Sequence, residues 1–564
     1  MVFDHLITKD KLEPSDVLEE CFTLVTQLTA QAFADCNVVD LAKGAVVQFE
    51  RKAYYGLDVP YRGQDMSPML SPEPSQVDYR DRMLLPAREL ASSIAMSSPA
   101  PWAGAPSDDL YFVLLTGANS GVGVGIGQRT IDEFLDSRPL SSHLILIPTT
   151  RSKTKSRDTV LALRAHLHKT AHTSKRLEAR SGSDYDPQAT IARVHVLSVQ
   201  LDLCDLRSIY AVADQLIHGK VTDPTGLIDD VRIPRIDAAL FNAGLGGWEG
   251  LDWLEFARQF FTLGLIQSTT YPSFKKALPK AAVLDFQKLF GVEGPKSGSP
   301  PELAEVFCAN TFGHYVLAHE LLPLLSRANA SEAPGRIVWT SSIDAGYDHL
   351  DFDDFQASRY MAPYESSKRV TDLISLTADL PGVWDVSAPY FASPAAADKP
   401  VKPRFYLSHP GIVCTPMFPL NWFLFFWYWL TMHLSRLCGS PWHTVSVYLG
   451  ACATSWLALA DQSTLDAVNA QHIKWGSSVT RTGRAAPKKT EVEGWGWEGR
   501  IDDPKALKRD DAEGVLRKTI GRKWDAATLT RERRTEFEVQ GRRCWAELER
   551  LRIAWEAALG RKAT

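Results

Sequence analysis

The chain has 564 residues, 45% of them hydrophobic and 23% charged, with a formal net charge of −5 at pH 7. That length predicts two folding units, or one large unit with appendages, and the acidic balance gives no electrostatic footing for nucleic acid. Eight cysteines, at 21, 36, 204, 308, 414, 438, 452 and 544, are scattered without C-x-x-C or zinc spacing, which predicts unbridged thiols in a reducing compartment and no metal centre.

Residues 1–108 form a compositional block of their own. Its first thirty residues include Asp4, Asp10, Glu13, Asp16, Glu19 and Glu20 and no long apolar core, so neither a secretory signal nor an Arg-rich transit peptide is expected. Helical periodicity over 15–44 has Ser15 or Asp16 as a cap and Gly44 as a stop. "SPMLSPEPSQ" and "SSPAPWAGAPSDD" read as linkers. The block is taken as an N-terminal extension of unknown role.

From Leu110 short apolar runs alternate with helical stretches, the mark of βαβ units. Strands are expected at 111–117, 144–150, 194–202, 238–244, 336–342 and 404–411. The fold class is therefore α/β, a doubly wound parallel sheet of Rossmann type over 109–500, with insertions at about 245–300 and 381–403. The remainder, 501–564, is a charged helical tail, and Phe537, Trp545, Leu548, Leu551 and Trp555 fall on one face of it, a stripe suited to packing on the body.

"VLLTGANSGVGVGIG" follows the first of these strands and opens a helix. Gly117, Gly121 and Gly123 let the backbone turn tightly and approach a pyrophosphate at the positive helix end. Further on, "YESSK" puts Tyr364 and Lys368 four apart on a helical stretch, where such residues are neighbours. An ammonium beside a phenol favours the phenolate, so the pair can supply a proton donor near neutrality. The second strand runs into Arg151, with Lys153 and Lys155 following. A basic residue there accommodates the 2′-phosphate of NADP, where an acid would hold the ribose of NAD.

The T-G-x-x-x-G-x-G spacing, with Thr116 and Val122 inside it, resembles the short-chain dehydrogenase/reductase fingerprint. The resemblance implies that Asp202 contacts the adenine and that Asn242 and Gly244 of N-A-G lie near its ribose. "HPGIVCTPM" is similar to the family loop that holds the nicotinamide amide, with Val413 and Thr415 as contacts. It implies NADPH/NADP+ as cofactor and the catalytic set Asn310, Ser342, Tyr364 and Lys368: Ser342 binds the carbonyl, Tyr364 donates the proton and also contacts the cofactor, Lys368 lowers the tyrosine pKa and binds the nicotinamide ribose, and Asn310 holds a water of the relay. Serine and tyrosine are 22 apart where the family has about a dozen residues between them, so the extra residues look like an insertion over the site. Ser341 is the rival of Ser342, because one step of register swaps the side chain facing the cleft.

"DFDDFQASRYMAPYESSKRVTDLIS" and "EVFCANTFGHYVLAHELLPLL" narrow the resemblance to the 3-keto-steroid reductases of sterol biosynthesis. A sterol ketone is the implied substrate, with reduction to the 3β-alcohol at the C-4 demethylation step. Reduction of a retinoid or 17-ketosteroid, and a non-catalytic scaffold role, stay open as alternatives. Residues 417–434, "MFPLNWFLFFWYWLTMHL", carry no Asp, Glu, Lys or Arg. They read as a membrane-interfacial element, a short spanning helix or a buried substrate lid. The resemblance implies an endoplasmic reticulum membrane or lipid droplet, facing the cytosol, with a membrane surface and other sterol C-4 demethylation proteins as partners.

Overall fold

The computed structural model describes residues 46–49, 53–56, 99–277, 302–359, 362–392, 396, 398–415, 420–501, 521–527 and 529–561. The helix expected over 15–44 and the linker at 67–76 lie outside them. Two compact units divide the chain, residues 1–96 with 421–425 and residues 97–420 with 426–564. In the first, β1 (Val46–Phe49) and β2 (Ala53–Gly56) form an antiparallel hairpin.

The second unit holds β3 (Leu110–Leu115), β4 (His143–Thr150), β5 (Val194–Val196), β6 (Val199–Gln200), β7 (Ala238–Phe241), β8 (Trp248–Leu251), β9 (Lys275–Ala277), β10 (Arg336–Thr340), β11 (Arg404–His409), β12 (Lys474–Val479) and β13 (Ala485–Thr490). Nine of them make one sheet in the order β13-β12-β11-β10-β7-β3-β4-β5, with β6 beside β4. Every pairing in it is parallel except β12–β13. All six expected strands are present. The order reverses between β3 and β7, and that switch point opens a crevice at the carboxyl ends of the strands, where such folds bind ligands.

Successive residues of a strand feed opposite faces, and both faces are covered. Phe112 and Leu114 of β3, Phe241 of β7, Trp339 of β10 and Phe405 of β11 join one core. Val113, Leu115, Leu240, Val338 and Tyr406 join the other. Burial on two sides explains why these strands read as continuous apolar runs. The second core packs α1 (Gly121–Ser137) and α2 (Lys153–Thr173). The first packs α3 (Leu206–Ile217), α5 (Gly313–Glu320) and α6 (Pro363–Thr377). The stretch expected as a second linker packs at its described end, with Trp102 buried between Phe112 and His195.

The described parts of the stretches expected as insertions have structure of their own. β8 and β9 pair antiparallel around α4 (Trp253–Thr270), which is broken at Gly264. α7 (Trp384–Phe391) lies within 381–403, and the aromatic segment forms α8 (Trp422–Leu437), followed by α9 (Cys452–Leu459). The last helix, α10 (Arg531–Ala558), begins at a Thr530 cap that accepts from the Arg533 N–H and buries its expected stripe on α6 and α7. The six described cysteines are unbridged.

Candidate active site

The carboxyl ends of β3, β7 and β10 lead into Thr116 and Gly117, Asn242 and Gly244, and Ser342. Thr116 is buried, and its hydroxyl accepts from the backbone N–H groups of Asn242 and Ala243, 2.9 and 3.1 Å away, which ties the glycine loop to the N-A-G turn. A side chain on Gly123 would collide with the Gly117 carbonyl, so only glycine lets α1 start this close to its loop. On Gly244, a Cβ would stand 2.8 Å from Asn310 Oδ1 and 3.9 Å from Lys368 Nζ. Arg151, Lys153 and Lys155 are exposed past the end of β4. Asp202 follows β6, its carboxylate accepting from the Cys204 N–H, and Val413 forms an isolated parallel bridge with Val445.

Ahead of α5 the helix widens to a π turn over Cys308–Phe312, a form often found at functional sites. Asn310 sits inside it. Its Oδ1 accepts from the Leu245 N–H at 2.7 Å, while Nδ2 donates to the Leu245 carbonyl and to Ser367 Oγ, both at 3.0 Å. His314, one turn on, was not singled out from the sequence. Its Nε2 lies 2.8 Å from Thr116 Oγ1 and its Nδ1 3.4 Å from the Asn310 carbonyl. Burial and the nearby Lys368 charge hold its pKa down to about 3, so it is a neutral tie between asparagine helix and glycine loop.

Tyr364 enters in the first turn of α6, after Pro363. The Ser342 side chain is near enough to favour its phenolate form. Lys368, one turn along, places Nζ 5.6 Å from the centre of the phenol ring and donates to the Thr340 carbonyl at 2.7 Å. The two serines separate cleanly. Ser341 is buried and donates to Asp372 Oδ1 at 2.5 Å. Ser342, partly exposed, turns to Tyr364 and also accepts from the Asp344 N–H at 3.2 Å.

One expectation needs correction. Burial pushes the Tyr364 phenol up to about 12; the Ser342 side chain and the Lys275 charge pull against it, and Glu365 and Asp344 add to it. Lys368 is not among the main influences on the phenol, and its ammonium donates to the Thr340 carbonyl. Lys368 is itself brought down to about 8, by burial and by Lys474, against the pull of Asp372.

Behind these residues lies a network the sequence did not disclose. Lys474 of β12, itself buried, donates to Asp372 Oδ2 and to the Ser342 carbonyl, both at 2.6 Å. Asp372, one turn beyond Lys368, thus joins Ser341, Lys474 and the serine loop. A second buried group, Lys275 with Asp344 and Glu365, lies over Tyr364. Elsewhere, His319, Glu320 and Glu556 bring possible ligand atoms within 4.8 Å of one another. Arg561 and Arg552 already pair with those carboxylates, and two guanidiniums there oppose a cation.

Curated relatives carry the same chemistry by name. Over 470 residues the chain is 51% identical to the 3-keto-steroid reductase of Gibberella zeae, covering 82% of this chain and 98% of that one. The chain belongs to the 3-keto-steroid reductase family. The Aspergillus fumigatus member is 41% identical over 79% of this chain and 94% of its own, and the Schizosaccharomyces pombe member 30% over 68% and 90%. Solved structures similar to this chain include an actinorhodin polyketide ketoreductase with NADPH, 16% identical over 63% of this chain and 92% of that one, TM-score 0.33. A Brucella melitensis 3-oxoacyl-[acyl-carrier protein] reductase in complex with NAD is 14% identical over 62% and 90%, TM-score 0.32. Family membership rests on the sequence relatives. Residues 1–58 separately match a profile of the anticodon-binding domain of class I (E and Q) tRNA synthetases. That stretch lies outside the described residues save for β1 and β2.

Proposed function

We propose that this chain reduces the 3-keto group of a sterol intermediate to the 3β-hydroxyl with NADPH, at the C-4 demethylation step of ergosterol-type biosynthesis. The observation that carries this is the convergence of Ser342, Tyr364 and Lys368 beside Asn310 at the switch point of the sheet, in a chain that covers nearly the whole length of named 3-keto-steroid reductases. In this reading two hydroxyls receive the ketone oxygen, which stabilises the oxyanion that develops as hydride arrives at the carbonyl carbon. Tyr364 then supplies the proton, and Lys368 and the Asn310 turn return one to it. Turnover of a 4-methyl-3-ketosterol with NADPH, the 3-alcohol identified as product, tests it; a chain inert toward every 3-ketosteroid overturns it.

The electrostatics give the pH dependence a sign. A lysine titrating near 8 is charged below that pH and neutral above it. The phenol, up at about 12, keeps its proton across the same range. For ketone reduction, kcat/KM should therefore fall as pH rises through about 8, and Lys368→Arg should move that fall upward. A pH–rate profile of the two proteins checks it.

NADPH rather than NADH is supported by exposed Arg151, Lys153 and Lys155 where β4 ends, with no acid at the first position past the strand. Arg151→Glu should cost about 10-fold or more in NADPH preference, the worth of one charge-assisted hydrogen bond, read as the ratio of kcat/KM for the two cofactors.

Attachment to the cytosolic surface of the endoplasmic reticulum or of lipid droplets, beside other sterol C-4 demethylation proteins, fits the exposed side chains of α8. Phe426, Trp429, Leu430, Leu434 and Leu437 are all exposed, and the helix has 16 residues. No helix among the described residues is long and apolar enough to cross a membrane. Trp253, Leu254 and Phe261 of α4 are exposed as well, and Thr269 of α4 lies 3.1 Å from Ser435 of α8, hydroxyl to hydroxyl. Trp favours the headgroup level, and Trp, Phe and Leu make up the apolar face of an interfacial helix. Leu430→Glu with Leu434→Glu should weaken vesicle binding about 10-fold or more in a flotation assay, from lost apolar burial.

A further inference from the structure

The inserted hairpin sends two side chains to the tyrosine. The indole of Trp248 lies against the Tyr364 ring, centroids 4.7 Å apart and planes at 57°. Lys275 Nζ stands 4.9 Å from the indole centre and 5.8 Å from the phenol centre. The same ammonium pairs with Asp344, two residues past Ser342, and with Glu365, the neighbour of Tyr364. Lys275 is 8% and Glu365 5% exposed at the side chain.

A buried charge is tolerated only when its partners are in place. Here the partners come from three separate elements: β9, the serine loop and α6. Lifting the hairpin off the site would separate the cation from both carboxylates. The arrangement therefore links closure of the insertion to the position of the tyrosine.

We propose that Lys275 is a positioning residue for the reduction: its ammonium locks the inserted hairpin onto the serine loop and α6, holds Trp248 on the Tyr364 ring, and sets the balance of charge around the phenol. This rests on the reductase reading of the site. The groups facing Tyr364 are Lys275 and Trp248 from the hairpin, Ser342 and Asp344 from the serine loop, and Glu365 and Lys368 from α6. Lys275 favours the phenolate, while Glu365 and Asp344 oppose it. Removing the lysine and removing a carboxylate must therefore act in opposite directions.

The test runs in the oxidative direction, 3β-hydroxysterol with NADP+, where Tyr364 has to be deprotonated and the rise of kcat with pH reports the phenol. Lys275→Met should lower kcat at neutral pH about 10-fold or more and shift the rise upward by about one pH unit. Glu365→Gln should shift it downward, and Lys275→Arg should return it to the wild-type position. KM for NADP+ should change less than about threefold, and NADPH binding followed by fluorescence reports whether each variant folds. If Lys275→Met does not fold, the downward shift in Glu365→Gln alone decides. Variants that bind cofactor, yet leave both kcat and the pH rise unmoved, overturn the inference. The wild-type chain is assayed beside them: if it turns over no 3-ketosterol in either direction, the reductase reading falls instead.

Discussion

Tyr364→Phe should reduce turnover of a 3-ketosterol on the order of 10³-fold or more while leaving NADPH binding nearly unchanged. The substitution deletes one oxygen and keeps the ring, so the contact with Trp248 and the turn after Pro363 survive. What disappears is the proton donor and one of the two hydroxyls that would hold the ketone. General acid catalysis contributes about 10²–10⁴-fold, and the lost oxyanion contact adds to it. Steady-state kinetics with cofactor titration separate the two effects. A variant that lost NADPH binding in step with turnover would show that the residue holds cofactor, not substrate oxygen.

The second large effect lies at the far end of the chain. Trp545 of α10 has no exposed surface and packs its indole against Tyr315, Tyr390, Phe391 and Phe405, with ring centroids 5.3–6.0 Å apart. Those partners belong to α5, α7 and β11, so the last helix completes the core on one face of the central sheet. Trp545→Ala should destabilise the fold by about 3–5 kcal/mol, as large-to-small changes in tight cores do. Chemical denaturation gives the number, and a loss under 1 kcal/mol would mean that α10 docks only loosely. Because α10 packs on α6, the same variant should weaken activity through the helix that carries Tyr364 and Lys368.

Which features were legible in the sequence follows from burial. The six expected strands carry apolar residues on both faces, so each was a short hydrophobic run. The stripe on α10 was readable for the same reason, since Phe537 and Trp555 recur at helical spacing and are buried as that spacing implies. β12 escaped notice. "KWGSSV" starts with lysine and is rich in small polar residues, yet most of it is buried, because Lys474 meets Asp372 and the Ser342 carbonyl there. A lysine reads as surface until its partner is known. β8 and β9 are short, and Lys275 gains meaning only once Asp344 and Glu365 converge on it from distant stretches. Motif order located the serine but not which of two, and register alone could not choose. Asp372 draws Ser341 inward, which supports Ser342 as the serine of the proposed reaction.

Transfer of deuterium from labelled NADPH to a 4-methyl-3-ketosterol is the most direct test of the chemistry at this site. A 3β-alcohol carrying one deuterium at carbon 3, formed by the wild-type chain and lost in Tyr364→Phe, is the expected result. Reduction that persists undiminished in Tyr364→Phe, or a product with no label at that carbon, would contradict it.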